Sequence, residues 1–199
     1  MVLWIREVKV TSIAPRFVGE FQKAVDYIGD VAEFARQFKI HARIARAFGN
    51  YKISVHSGSD KFAVYPTVGE ETRGFLHLKT AGTSWLVAVE VIAERDPALY
   101  RDMHRCAEAH FSEMLKLYHI TADLKRIPPL ESLRDDELPG LIRNHPDARQ
   151  LLHINYGPIL TGELRDRFFA AMHRCEEAYA EKLEKHFDKH FSLLGIPKK

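Results

Sequence analysis

Residues 51–62 read YKISVHSGSDKF. The first part, KISVH at 52–56, is short, apolar and β-branched, which reads as a strand. A histidine, two serines, a glycine and an aspartate crowd directly behind it, more polar groups than a turn needs. How this strand is flanked decides the fold class.

On its amino side, VKVTSIAPRF (8–17) alternates β-branched and polar residues and stops at Pro15, a strand followed by a loop. GDVAEFARQFKIHARIARAFGN (29–50) then has Asp30 as N-cap, apolar Val31, Phe34, Ala35, Phe38, Ile44, Ala45 and Phe48 at helical spacing, and Gly49 as the stop. On the carboxyl side an irregular stretch with Pro66, Gly69 and Gly74 leads to a third strand, FLHLKT at 75–80. Residues 84–118 read as two helical pieces divided at Pro97, and HITADL (119–124) as a fourth strand.

Residues 126–147 hold four prolines and read as a loop with a short helix. RQLLHINYG (149–157) reads as a fifth strand, and an amphipathic helix runs from about Glu163 to Leu194 before Gly195 and Pro197. Strands that are apolar on both faces and alternate with helices predict an α/β protein, a parallel sheet with helical crossovers and a long C-terminal helix. MHRCAEAHF (103–111) and MHRCEEAYA (172–180) echo each other as two similar crossover helices. A duplicated Cys/His site is the other reading, but His104 and Cys106 are two apart and leave different helix faces.

At 199 residues and 46% hydrophobic content, one domain over 1–199 is expected. A net charge of +2, with 28% charged residues of both signs, lacks the basic footprint of a nucleic-acid binder. Two cysteines make no disulfide framework, no run reaches the ~18 apolar residues of a membrane span, and no targeting segment is evident. A soluble cytoplasmic protein is the expectation. Of eleven histidines, His104, His110, His173, His186 and His190 fall on charged helical stretches and read as half-exposed surface residues.

In parallel α/β proteins ligands bind where the loops leave the carboxyl ends of the strands. That rule collects Arg16 and Glu20, then His56, Ser57, Ser59 and Asp60, then Lys79 and Thr80, then Asp123 and Lys125, then His153, Asn155 and Tyr156. Period-2 geometry puts Ser54 with His56, His77 with Lys79, and His153 with Asn155 on common faces. His77 lies deeper and reads as a core histidine.

Two imidazoles, His56 and His153, with nearby carboxylates suit a divalent cation; a histidine capping the strand by a hydrogen bond is the alternative for His56. Asp60 is a candidate general acid or base, or the cap of its turn. Lys79 forms a Schiff base, holds an anion as a fixed charge, or is simply a solvated strand-end lysine. TAGTSW (80–85) offers helix N-terminal amides to a substrate carboxylate, or simple capping by Ser84. Ser57, Ser59, Thr80 and Asn155 are the candidates for holding substrate.

Through ISVHSGSDKFAVYP (53–66), FLHLKTAGTSWL (75–86), YHITADLKRIP (118–128) and DARQLLHINYG (147–157), the chain resembles the metal-dependent tagaturonate/fructuronate epimerases. It is similar to their C-terminal part alone. The resemblance implies part of a TIM-barrel-like (β/α)8 scaffold, a divalent metal, and inversion of hexuronates at C4. It implies that His56 is a metal ligand, that Asp60, Lys79 and His153 lie at the site, and that Glu20 or Asp26 adds a carboxylate. The partners expected are a sugar acid and either a second copy of the chain or a separate N-terminal half-barrel chain. A Schiff-base aldolase working through Lys79 and a non-catalytic half-barrel subunit are the competing readings.

Overall fold

The computed structural model describes residues 9–56, 59–80 and 82–197, which form two compact units. Unit 1 takes residues up to Phe21, Asp26–Thr80 and Phe187 onward; unit 2 takes Gln22–Val25 and Ala81–His186. Among the described residues no helix is long and apolar enough to cross a membrane.

Unit 1 carries the strands found among the described residues: β1 (Ser12–Ile13), β2 (Lys52–His56) and β3 (Leu76–Lys79), parallel and in the order β1-β2-β3. Helix α1 (Val31–Ala47) connects the first pair and α2 (Tyr65–Thr72) the second. The three-stranded parallel sheet with helical crossovers is the α/β pattern expected from the sequence. Asp30 caps α1 as anticipated, its carboxylate accepting from the Ala32 and Glu33 amides. The buried face of α1, Phe34, Phe38, Ala42 and Ala45, packs with Phe17, Tyr27, Ile53, Val55 and Val68 into one core. Phe34 and Phe38 are fully buried, each worth roughly 1.5–3 kcal/mol by area.

Two glycines are dictated by close approach. A Cβ on Gly69 would sit 2.2 Å from the Leu194 carbonyl oxygen, so the chain end seats on α2 only because that side chain is missing. Gly19 has φ +81° and lies against the Tyr27 hydroxyl. The reading of 62–74 as irregular is corrected here. Pro66 starts α2 in its first turn, and Gly69 serves packing rather than breaking the helix.

Among the described residues unit 2 is helical: α3 (Thr83–Arg95), α4 (Pro97–Met114), α5 (Leu138–Asn144), α6 (Pro146–Ile154), α7 (Tyr156–Thr161), α8 (Arg165–Arg174) and α9 (Glu176–Leu193), whose last turns belong to unit 1. Asp96 ends α3 and caps α4 by accepting from the Leu99 amide, with Pro97 opening the second helix as expected. The core joins α3, α4, α6 and α8 through residues such as Ile92, Leu99, Met103, Leu151 and Phe168.

Two expected strands are absent. Residues 149–157 belong to α6 and the start of α7. His145 caps α6, Pro146 opens it, and LLHI is apolar because the helix is buried nearly all round, a pattern that periodicity cannot tell from a strand. Residues 119–124 form no ladder. The Thr121 amide and hydroxyl bond to the Gln22 side chain, the Asp123 amide to Asp147, and Asp123 caps a 3-10 turn over Leu124–Arg126. The long C-terminal helix is also interrupted, at Cys175, between α8 and α9.

Candidate functional site

The polar end of β2 and β3 is assembled by register. Ser54 stands opposite His77, and His56 opposite Lys79. Parallel partners share a face, so these four side chains form one polar surface on a sheet whose other face is packed under α1. Ser54 is buried, while His56, His77 and Lys79 are exposed. His77 is therefore a member of the exposed strand-end group and not the core histidine expected.

The Ser54 hydroxyl lies 3.3 Å from His56 Nδ1 and 3.2 Å from His77 Nδ1. With one proton and two lone pairs, the hydroxyl bridges the two rings and donates to at most one of them. Both Nε2 atoms lie outside that link. Lys79 ends β3 as an exposed cation and Thr80 follows it, half-buried. Ser57 lies outside the described residues.

Ser59, Asp60 and Lys61 are buried, Lys61 almost completely. Lys61 Nζ donates to Ser59 Oγ at 2.8 Å and to the Asp60 carbonyl at 3.1 Å. A buried ammonium that holds its own turn explains why so many polar residues cluster there. Asp60 Oδ1 pairs with His190 Nε2 at 2.8 Å, and the His190 ring packs against Phe62 and Tyr65. Burial pushes the Tyr65 phenol well above its ordinary range. His186 precedes His190 by one turn of α9, so both imidazoles leave the same helix face.

Asp60 is thus the residue of SGSD that reaches a histidine, and its partner comes from a helix that looked like plain surface in the sequence. His104 and His190, both expected half-exposed, are buried. The Asp26 carboxylate accepts from the Ala63 and Tyr27 amides, which makes it a clamp on the turn after Asp60. Glu20 is exposed and forms a backbone bridge with Ile28. At the TAGTSW segment, α3 opens on Gly82, so Ser84 is inside the helix and not its cap.

His153 and Asn155 do not stand at a strand end, because no strand is there. Both are buried in unit 2, His153 on α6 and Asn155 at its junction with α7, where its Nδ2 donates to the Leu151 carbonyl. Asp123 and Lys125 lie on the 3-10 turn of that unit. Lys61, His186 and His190 are the residues that sequence reasoning missed. The i, i+4 spacing of two histidines on a helix was the available signal.

Residues 1–194 match the family profile described as tagaturonate epimerase. The chain is 48% identical over 190 residues to the tagaturonate/fructuronate epimerase of Thermotoga maritima, covering 95% of this chain and 39% of that protein. It superposes on the native crystal structure of the fructuronate-tagaturonate epimerase UxaE from Cohnella laeviribosi with TM-score 0.93 and 49% identity, over 98% of this chain and 41% of that one. The two-glycerol complex of that enzyme gives TM-score 0.94. The chain spans about two fifths of the length of these relatives.

Proposed function

The chain belongs to the tagaturonate epimerase family, and on that premise we propose that it carries part of the active site of a hexuronate epimerase, interconverting tagaturonate and fructuronate by inversion at C4. The observation that carries the reading is the His56, His77 and Lys79 surface at the carboxyl ends of two parallel strands, with Ser54 bridging the imidazoles. Lys79 holds the substrate carboxylate as a fixed cation, with Thr80 beside it. His56, oriented through Nδ1 by Ser54, works through Nε2, either moving a proton or donating to a cation. Thr80 is the described hydroxyl beside Lys79 for holding substrate; Ser59 is buried and its hydroxyl accepts from Lys61.

The chain also holds a donor set that fits a divalent metal. Asp60 Oδ1 and His190 Nε2 already approach to 2.8 Å, and His186 supplies the third donor from the same helix face. Two imidazoles and one carboxylate suit zinc and related ions. A metal held by these three residues would supply Lewis-acid polarisation of a carbonyl or hydroxyl oxygen.

We assign the three strands to a (β/α)8 barrel whose other strands lie in the length that the relatives have and this chain lacks. Residues 1–199 act as one domain in it, since the chain passes back and forth between the two units. The missing strands come from further sequence, a companion chain or a second copy. The test is conversion of tagaturonate to fructuronate by the chain, alone and mixed with the amino-terminal three fifths of a relative, with bound metal measured on the same samples. Loss of conversion on chelation and in His56→Ala, and loss of bound metal in Asp60→Asn, is the expected result. Full activity in all three refutes the assignment.

A further inference from the structure

Unit 1 contains a polar concavity at the opposite end of the sheet from His56 and Lys79. A cavity of about 610 Å3 opens where β2 and β3 begin, between the second half of α1 and the end of α2. Ile53 lines it while His56 ends the same strand, and three residues of strand span about 10 Å. The size falls within the range of small-molecule pockets, roughly 300–1,000 Å3.

Its wall has the composition such pockets need. Ala42, Ala45 and Ile53 make an apolar floor, and Tyr51 and Phe75 add two rings. Lys39, Arg46 and Arg73 bring cations, and Glu70 and Glu71 bring carboxylates. Glu71 is already answered: Lys39 Nζ lies 3.7 Å and Arg46 Nη2 4.0 Å from its oxygens, and Arg46 Nη1 donates to its carbonyl. Arg73 has no ion-pair or hydrogen-bond partner for its guanidinium among the described residues.

The backbone at Arg73 is what singles the pocket out. The residue closes α2 in the left-handed region, φ 52° and ψ 41°, with its amide donating to the Gly69 carbonyl at 2.8 Å. Glycine is the ordinary occupant of that position, and a side chain there is strained. Asn50, on the same rim, is left-handed too, at φ 50°. Strain at a residue that glycine would relieve, whose guanidinium has no partner among the described residues, points to a ligand for that side chain.

We propose that this cavity is a second binding site, for a small polyhydroxylated anion of the sugar-acid or sugar-phosphate kind. The acid group sits on Arg73 and Arg46, Asn50 and Glu70 take hydroxyls, and the apolar face of the sugar lies against Tyr51 and Phe75. The site is separate from the strand-end histidines, so an occupant there regulates or steadies the protein without competing for them.

Titration calorimetry on the whole chain, with galacturonate and with glucose 6-phosphate as probes, tests this. At least one probe is expected to bind with Kd of about 1 mM or below, and the probe that does so identifies the acid group. Arg73→Gly should weaken that binding about tenfold or more while its Tm stays at or above the parent's, because the substitution relieves strain. Arg73→Lys should recover part of the affinity, and His56→Ala should leave it unchanged. Absence of binding by both probes at about 50 mM overturns the site, as does parental affinity in Arg73→Gly or loss of binding in His56→Ala alone.

Discussion

His104 is a buried imidazole on α4 whose titration should be visible in the stability of the whole chain. It is fully buried, neither ring nitrogen makes a hydrogen bond among the described residues, and Glu108 Oε1 lies 3.6 Å from Nδ1. Burial lowers its pKa to about 4; Glu131 pulls the other way and Arg105 adds to the lowering. The unfolded ring titrates near 6.5, so between pH 6.5 and about 4 the unfolded chain binds a proton that the folded one refuses. The stability tied to the neutral ring is complete above pH 6.5 and drains away as pH falls, at about 1.4 kcal/mol per pH unit. The loss reaches roughly 3 kcal/mol at pH 4. His104→Leu removes both the titration and the unbonded nitrogens, whose burial costs about 1–3 kcal/mol. Urea denaturation followed by circular dichroism at pH 7, 6, 5 and 4.5 should show the variant as stable as the parent or more so at pH 7. Its stability should fall less steeply toward acid, by about 1.4 kcal/mol per pH unit. Parallel slopes for the two proteins would refute the reasoning, because they would mean that the ring titrates alike folded and unfolded.

Gly69→Ala should lower stability by about 1–3 kcal/mol and expose the carboxyl-terminal segment to proteolysis, since its Cβ meets the Leu194 carbonyl; an unchanged Tm would show that the chain end does not seat on α2. Lys182→Met leaves Glu90 and Glu94 with Arg143 alone and should cost about 1 kcal/mol, read by urea denaturation. Burial raises the Glu90 carboxyl, but Lys182 and Arg143 outweigh it and hold the group low, so that loss should appear at neutral pH and vanish in acid as carboxylates protonate. On the proposed function, Ser54→Ala, which removes the bridge between His56 and His77, should reduce conversion of tagaturonate about 10–100-fold with a changed pH profile. Full activity with the parental profile would make the bridge irrelevant to catalysis.

The elements legible in the sequence were those whose signals are local. Asp30 as a cap with Phe34 and Phe38 behind it, KISVH and FLHLKT as strands, and the break at Pro97 are each written within a few residues, and each is present. The misread elements depend on what lies across the chain. LLHI is equally apolar as a parallel strand or as a helix buried all round, and only the rest of unit 2 decides between them. HITADL has β-like composition, but side chains from Gln22 and Asp147 take its backbone groups before a neighbouring strand can. Residues 62–74 read as irregular partly because the reason for Gly69, the Leu194 carbonyl, is distant in sequence.

The same division explains the candidate site. Period-2 spacing put Ser54 with His56 and His77 with Lys79 correctly, and only the register of β2 on β3 was needed to join the pairs. The fate of SGSDK was not legible, because its meaning lies in His190, whose helix has charged residues on either side of the histidine. An aspartate buried at a strand end needs a partner, since an unpaired carboxylate there would cost several kcal/mol. That requirement alone predicts a cation or an imidazole from a distant element. The i, i+4 pair His186 and His190 was the strongest such candidate in the chain, so the cluster follows from asking what Asp60 demands rather than what each histidine resembles.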